Sequence, residues 1–145
     1  MSRVNLFPLE LYGIDSLRSI HLPDEQNRHV HFAIKSVPYE AAGNPWVFAI
    51  DLDGECVGYL SAEKDFEGDL HIHKFVIKPE AQNRGLGSDA LNEFITLARN
   101  SGASVIFLSV AYENVGAERF YRRFGFRVSA IGTVETGCRS FYLPL

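Results

Sequence analysis

Apolar and polar positions alternate with a period of two through the middle of the chain and then switch to a helical period, which places strands and helices directly. Trp46–Asp51 and Glu55–Ala62 read as two strands joined at Asp53-Gly54, a dipeptide suited to a tight hairpin turn. Asp69–Lys78 alternates again and is rich in β-branched and apolar residues. From Gly85 to Asn100 the spacing changes, and Leu91, Phe94, Leu97 and Ala98 share one helical face, with Asp89, Glu93 and Arg99 elsewhere. Gly102 closes that helix. Val105–Val110 is a nearly continuous apolar run, the pattern of a central strand covered on both faces. Asn114 opens a second helix that ends near Gly125, and Phe126–Ala130 and Ser140–Leu143 read as the last strands. Ahead of all these, Val4 to about Val37 reads as a short strand followed by helical segments, with Pro23-Asp24-Glu25 as a helix start. Gly43-Asn44-Pro45 ends that region. The order is mixed α/β, with the best-defined strand–loop–helix unit in the middle.

Composition narrows the class. The 145 residues show no repeat, low-complexity tract or linker, so a single domain over residues 1–145 is expected. Hydrophobic residues make up 46% and charged residues 22%, the balance of a soluble globular chain. A net charge of −4 argues against a nucleic-acid partner, whose binders carry a basic face. The same charge suits a cationic substrate and equally suits plain solubility. No apolar run approaches the roughly 20 residues of a membrane span, and Met1–Asn5 has no apolar leader character, so no membrane is expected and the cytoplasm is the default location. Cys56 and Cys138 make neither a metal-ligand nor a CxxC spacing and read as reduced packing residues. A monomer and a homodimer fit the sequence equally.

The stretch Pro79-Glu80-Ala81-Gln82-Asn83-Arg84-Gly85-Leu86-Gly87-Ser88 lies between a strong strand and a strong amphipathic helix. Its two glycines let the backbone turn tightly and approach a ligand without Cβ interference. The first amides of the following helix have no partner, and the helix dipole adds positive potential there, so a phosphate or pyrophosphate is favoured. One reading is a simple strand-to-helix turn. A second is a dinucleotide site, since Gly85-x-Gly87-x-x-Ala90 formally fits, but Pro79–Arg84 separate the glycines from the strand and only 60 residues follow Gly85. A P-loop is excluded because no Gly-Lys-Ser/Thr follows. The third reading is coenzyme A.

Gln82-x-x-Gly85-x-Gly87, preceded by Ile77-Lys78-Pro79, resembles the signature of the GNAT superfamily of N-acetyltransferases. Downstream, Asn114-x-x-Ala117-x-x-Phe120-Tyr121-x-x-Phe124-Gly125-Phe126 is similar to the family's second motif. The resemblance covers about residues 46–130. It implies a central twisted sheet of about six to seven strands whose fourth and fifth strands splay apart, flanked by about four helices. It further implies acetyl-coenzyme A as co-substrate and no metal. The pantetheine arm would pair with the backbone of Val76 and Ile77, with Gln82 opening the loop. The pyrophosphate would rest on the amides of Asn83, Arg84, Gly85, Leu86, Gly87 and Ser88, with Lys78 and Arg84 adding positive charge. Asn114 is expected to cap the second helix, and its counterpart in the family also touches the coenzyme or a water.

Acetyl transfer needs a neutral amine, a polarised thioester and a protonated leaving thiolate. A primary amine with a pKa near 10.4 lies about 3.4 units uphill at pH 7, roughly 4.6 kcal/mol, so a positioned base is useful. Tyr121 matches the family's general acid, against the plainer reading of a core ring between Phe120 and Phe124. His71 and His73 lie two apart on a strand, face one side, and are the candidate bases, against two ordinary polar positions. The run from His71 to Ile77 resembles the paired-histidine strand of the aralkylamine N-acetyltransferases. Ser109 stands where some members carry a catalytic glutamate, which shifts weight to the histidines. Glu63, Asp65, Glu67 and Asp69 read as a solvated loop, or as an attractor of a cationic amine. The resemblance implies an N-acetyltransferase acting by direct attack in a ternary complex on a small-molecule or protein amine. An acyl-coenzyme A-binding regulatory module without catalysis is the alternative.

Overall fold

The computed structural model describes residues 3–8, 44–129 and 137–145. Its strands are β1 (Asn5–Pro8), β2 (Val47–Leu52), β3 (Glu55–Lys64), β4 (Leu70–Ile77), β5 (Val105–Ala111), β6 (Arg127–Val128) and β7 (Cys138–Pro144). Two α-helices, α1 (Leu86–Asn100) and α2 (Val115–Phe124), follow β4 and β5 respectively. The strands form one sheet in the order β1-β2-β3-β4-β5-β7-β6, antiparallel throughout except between β4 and β5.

Local chemistry sets these elements. The β2–β3 hairpin closes through Asp53 and Gly54, both at positive φ (51° and 89°), and the Gly54 amide donates to the Asp51 carboxylate at 3.1 Å. The β3–β4 loop is built on Asp65, whose Oδ1 accepts the amides of Glu67 and Asp69 at 2.9 and 3.0 Å. Asp69 in turn accepts the amides of Ser104 and Val105, at 2.9 and 3.1 Å, tying the start of β4 to the start of β5. The acidic run is therefore largely turn chemistry, as a solvated loop requires.

Helix α1 buries Leu86, Ala90, Leu91, Phe94, Ile95 and Ala98 against one face of the sheet, where Leu60, Leu70, Ile72, Ile106 and Leu108 are also buried. Each of the leucine, isoleucine and phenylalanine side chains contributes about 1.5–3 kcal/mol on leaving water, so this seam dominates the described core. Phe94 also packs edge-on against Trp46 and Phe48, with centroids 6.0 and 6.4 Å away. Helix α2 is seated more lightly. Its apolar stripe of Ala117, Phe120, Tyr121 and Phe124 is only partly buried, because an open cleft lies beneath it.

Three expectations are adjusted. About four helices were expected and two occur among the described residues; the helical segments read before Val37, with His29-Val30-His31, lie outside them. The strand read from Phe126 shrinks to Arg127–Val128, because the Phe126 amide is spent on the Tyr121 carbonyl at the end of α2. The strand read from Ser140 lengthens to Cys138–Pro144, which pairs with the whole of β5. Among the described residues no helix is long and apolar enough to cross a membrane.

Candidate active site

β4 and β5 run parallel yet pair over only three positions, Leu70↔Ile106, His71↔Phe107 and Ile72↔Leu108. Beyond these, β4 stays with β3 to Ile77 and β5 stays with β7 to Ala111, so the sheet opens as a wedge between two supported strands. A bulge sits at the point of parting. The register steps from Ala62↔Ile72 to Ser61↔Lys74, leaving His73 without a partner on β3 and bending β4. Further along, Gly58 lets β4 cross closely, since a Cβ there would lie 2.0 Å from the Val76 carbonyl oxygen.

The ladder also decides which backbone groups face the wedge. The Lys78 amide donates to the Val57 carbonyl at 2.7 Å, so by antiparallel alternation Val76 bonds towards β3 at Tyr59. Phe75 and Ile77 then present their amide and carbonyl groups to the gap. Of the expected pair Val76 and Ile77, this parity turns Ile77 to the wedge and replaces Val76 with Phe75. The Ile77 carbonyl already accepts the Gln82 side-chain amide at 2.7 Å, so Gln82 folds the loop back onto the end of β4.

The loop itself is shaped for an anion. Asn83 (φ 60°) and Gly85 (φ 76°) both adopt left-handed conformations on either side of Arg84, an alternation that turns successive amides towards one concavity. Gly85 is the N-cap of α1 and offers no side-chain acceptor, so the first helical amides stay uncapped; the Asp89 amide is the first satisfied, by the Gly85 carbonyl at 3.1 Å. The glycines differ. A Cβ on Gly85 would meet the Arg3 guanidinium at 2.7 Å, whereas one on Gly87 would make ordinary contacts with Phe120 and Ile77 at 3.8 and 3.9 Å.

Wedge, loop and α2 together enclose a cleft of about 560 Å³ lined by Phe75–Ile77, Ala81–Asn83, Gly85–Ser88, Asn114, Gly116, Ala117, Phe120, Tyr121 and Arg123. Asn114 caps α2, its side-chain oxygen accepting the Ala117 amide at 3.3 Å. Tyr121 packs edge-on between Phe120 and Phe126, with centroids at 5.2 and 5.4 Å, rather than against Phe124. Burial pushes its phenol well above the usual tyrosine range, so the ring keeps its proton at neutral pH.

Other groups lie off the cleft. Arg84 does not line it, and Lys78, just past β4, is paired with Glu55 at the start of the neighbouring β3. His71 and His73 sit past the wedge, towards the opposite face of the sheet. His71 Nε2 meets Asp65 Oδ2 at 2.8 Å and its ring stacks on Phe107 at 4.8 Å; His73 Nε2 meets Glu63 Oε2 at 3.1 Å. The Asp65 carboxyl is held below the usual carboxylate range, chiefly by the His71 hydrogen bond. Ser109 faces Ser140 across β5 and β7, with hydroxyl oxygens 3.5 Å apart. Cys56 is buried, donates to the Gly58 carbonyl at 3.3 Å, and has its thiol pushed up by burial, the opposite of a nucleophile's environment.

Sequence reasoning missed Arg123 and Arg3. Arg123 lines the cleft with no hydrogen-bond partner among the described residues; the stripe 116–120–123 on one helical face was its signal. Arg3 touches the glycine loop from more than 80 residues away, and no local pattern announces it.

The fold that carries this cleft is shared with solved proteins. The acetyltransferase PaiA of Thermoplasma acidophilum, solved in complex with coenzyme A, superposes with a TM-score of 0.78 over 100% of both chains at 15% identity. An acetyltransferase of Thermus thermophilus superposes at 0.65, also over 100% of both chains, at 23% identity. Among curated relatives, an uncharacterized N-acetyltransferase of Methanocaldococcus jannaschii is 29% identical over 54% of this chain and 38% of its own length. The L-methionine sulfoximine/L-methionine sulfone acetyltransferase of Pseudomonas aeruginosa is 31% identical over 60% of this chain and 53% of its own. The L-amino acid N-acyltransferase MnaT of Escherichia coli is 29% identical over 74% and 62%. The chain spans 38% to 62% of the length of these three curated relatives. Residues 14–126 match the model of the acetyltransferase (GNAT) family, and both of its motifs fall on the walls of the cleft, so the chain belongs to that family.

Proposed function

We propose that the chain transfers an acetyl group from acetyl-coenzyme A to an amine, by direct attack while both substrates are bound. The observation that carries this reading is the uncapped start of α1 opening into the cleft between the parted strands. A diphosphate seated on the amides of residues 83–88 leaves the pantetheine to run along β4, where Phe75 and Ile77 offer backbone partners. The Ile77 amide faces the gap and supplies one donor to the oxygen of the thioester. PaiA carries coenzyme A in its own structure, and the shared fold supports the same placement here.

The amine attacks the thioester carbon, a C–N bond forms, and the C–S bond breaks. The amine gives up one proton to a base, and the departing sulfur acquires one. Tyr121 serves the sulfur. Its raised pKa makes it a weak acid, so its strongest service is a hydrogen bond to charge developing on sulfur, completed as the proton passes. His71 or His73 accepts the amine's proton from the opposite face, directly or through water. The backbone of both residues lies at the wedge apex, because His71 is in the last paired stretch and His73 is the bulge.

The acceptor is an amine of a small molecule or a protein. Two relatives are named for amino-acid-type acceptors, which makes free amino acids and their analogues the first arm of a panel. The test is free-thiol release from acetyl-coenzyme A across amino acids, polyamines, aminoglycosides and peptides, with mass spectrometry of the product. Thiol release coupled to a product heavier by one acetyl group is expected with at least one amine. Tight coenzyme binding without turnover on any amine would instead identify a binding module.

A further inference from the structure

Arg3 stands two residues ahead of β1 and belongs to neither family motif, yet it grips the glycine loop. Its Nε–H donates to Asp89 Oδ2 at 2.8 Å, and its Nη2 donates to the Arg84 carbonyl oxygen. The same nitrogen occupies the space a Cβ of Gly85 would need. Two consequences follow from elementary geometry. A trans peptide points its C=O and the next N–H in opposite directions, so holding the Arg84 carbonyl outward turns the Gly85 amide the other way, towards the anion cradle. Asp89 is a carboxylate in the first turn of α1, where a bound diphosphate would be repelled; Arg3 offsets that charge.

We infer that Arg3 is a positioning residue for the coenzyme, locking the Arg84–Gly85 peptide in its anion-binding orientation before the ligand arrives. The inference rests on the reading of the cleft as a coenzyme site. Ordering the loop in advance removes a cost that binding would otherwise carry, so the effect falls on affinity and not on the chemical step.

Calorimetry with coenzyme A and steady-state thiol release test this on the full chain. Arg3→Ala raises the coenzyme Kd and the KM for acetyl-coenzyme A by about tenfold while kcat at saturation stays within about twofold. The guanidinium is half exposed, so the thermal midpoint without ligand barely moves. Arg3→Lys restores charge but cannot bridge both acceptors in a fork, and recovers only part of the affinity. In Arg3→Ala with Asp89→Asn the charge balance is restored without the lock; continued weak binding supports the inference, and full recovery overturns it. Unchanged affinity in folded Arg3→Ala overturns it while leaving the cleft reading intact. A wild-type chain that binds no coenzyme A removes the cleft reading, and this inference with it.

Discussion

The two sides of the sheet are built by different means. On the helix side, the proposed anion cradle is backbone: amides of residues 83–88, left-handed conformations at Asn83 and Gly85, and a helix start that no side chain among the described residues caps. Most of its determinants lie within one short stretch of chain, with Arg3 reaching in from outside it. On the other side, the candidate bases are side chains whose setting comes from elsewhere, since His71 and His73 meet carboxylates six and ten residues away across the β3–β4 hairpin and its bulge. A backbone site of this kind depends on few side chains, here the loop glycines and the Arg3 that holds the Arg84 carbonyl. A side-chain site shifts with register, and a one-residue change in the bulge re-aims it.

In the proposed mechanism Tyr121 is the point where the two sides cooperate, and the largest effect is expected there. Tyr121→Phe keeps the ring against Phe120 and Phe126 but removes the donor. Turnover should fall by about ten- to a hundredfold, equivalent to about 1.4–2.7 kcal/mol of barrier, with the coenzyme Kd nearly constant. Unchanged turnover would confine the tyrosine to packing and reduce the cleft to a binding surface. A smaller effect is expected opposite. His71→Ala and His73→Ala, made separately, should cost turnover about three- to tenfold in the variant that lacks the base, and only that variant should lose the acidic limb of its pH–rate profile. An acidic limb intact in both would assign proton removal to solvent.

The same contrast explains what the sequence made legible. Strands and helices from Trp46 to Gly125 were readable because each obeys its own period over many residues. The glycine turn into α1 and the cap of α2 were readable because Gly85 and Asn114 act on their immediate neighbours. The bulge at His73 was not, because it exists only in the pairing of β4 with β3. The Arg3 grip joins residues 81 and 86 apart and left no trace in spacing. Val76 against Phe75 turned on a single ladder bond, Lys78 to Val57, that no composition reveals.

Within the cradle the two glycines offer a sharper test, because they should respond with opposite signs. Gly85→Ala forces a β-carbon into a left-handed residue, at about 1–2 kcal/mol, and against Arg3. The thermal midpoint should drop by about 3–8 °C and coenzyme affinity should fall with it. Gly87→Ala meets only ordinary contacts and replaces glycine inside a helix, a gain of up to about 1 kcal/mol. Its midpoint should rise or hold while affinity alone reports how closely the diphosphate approaches. A midpoint loss at Gly87 equal to that at Gly85 would mean that the fold, and not a ligand, demands both glycines.

The smallest effect belongs to Asp65, which serves both its own turn and His71. Its folded carboxyl lies below the ordinary carboxylate range, so its stabilising contribution is complete above the unfolded value near 3.9 and is lost only as pH falls through the lower folded value. Asp65 therefore adds no slope to stability between about pH 5 and 8, and any slope there belongs to other groups. Asp65→Asn keeps an acceptor for the Glu67 and Asp69 amides, so the turn survives and only the contact with His71 weakens. The midpoint difference from wild type should be small, and should shrink below about pH 4 as the wild-type carboxyl takes up its proton. A difference that persisted undiminished below about pH 4 would show that the carboxyl is not held below its ordinary range in the fold, and that its contact with His71 is too weak to orient the ring.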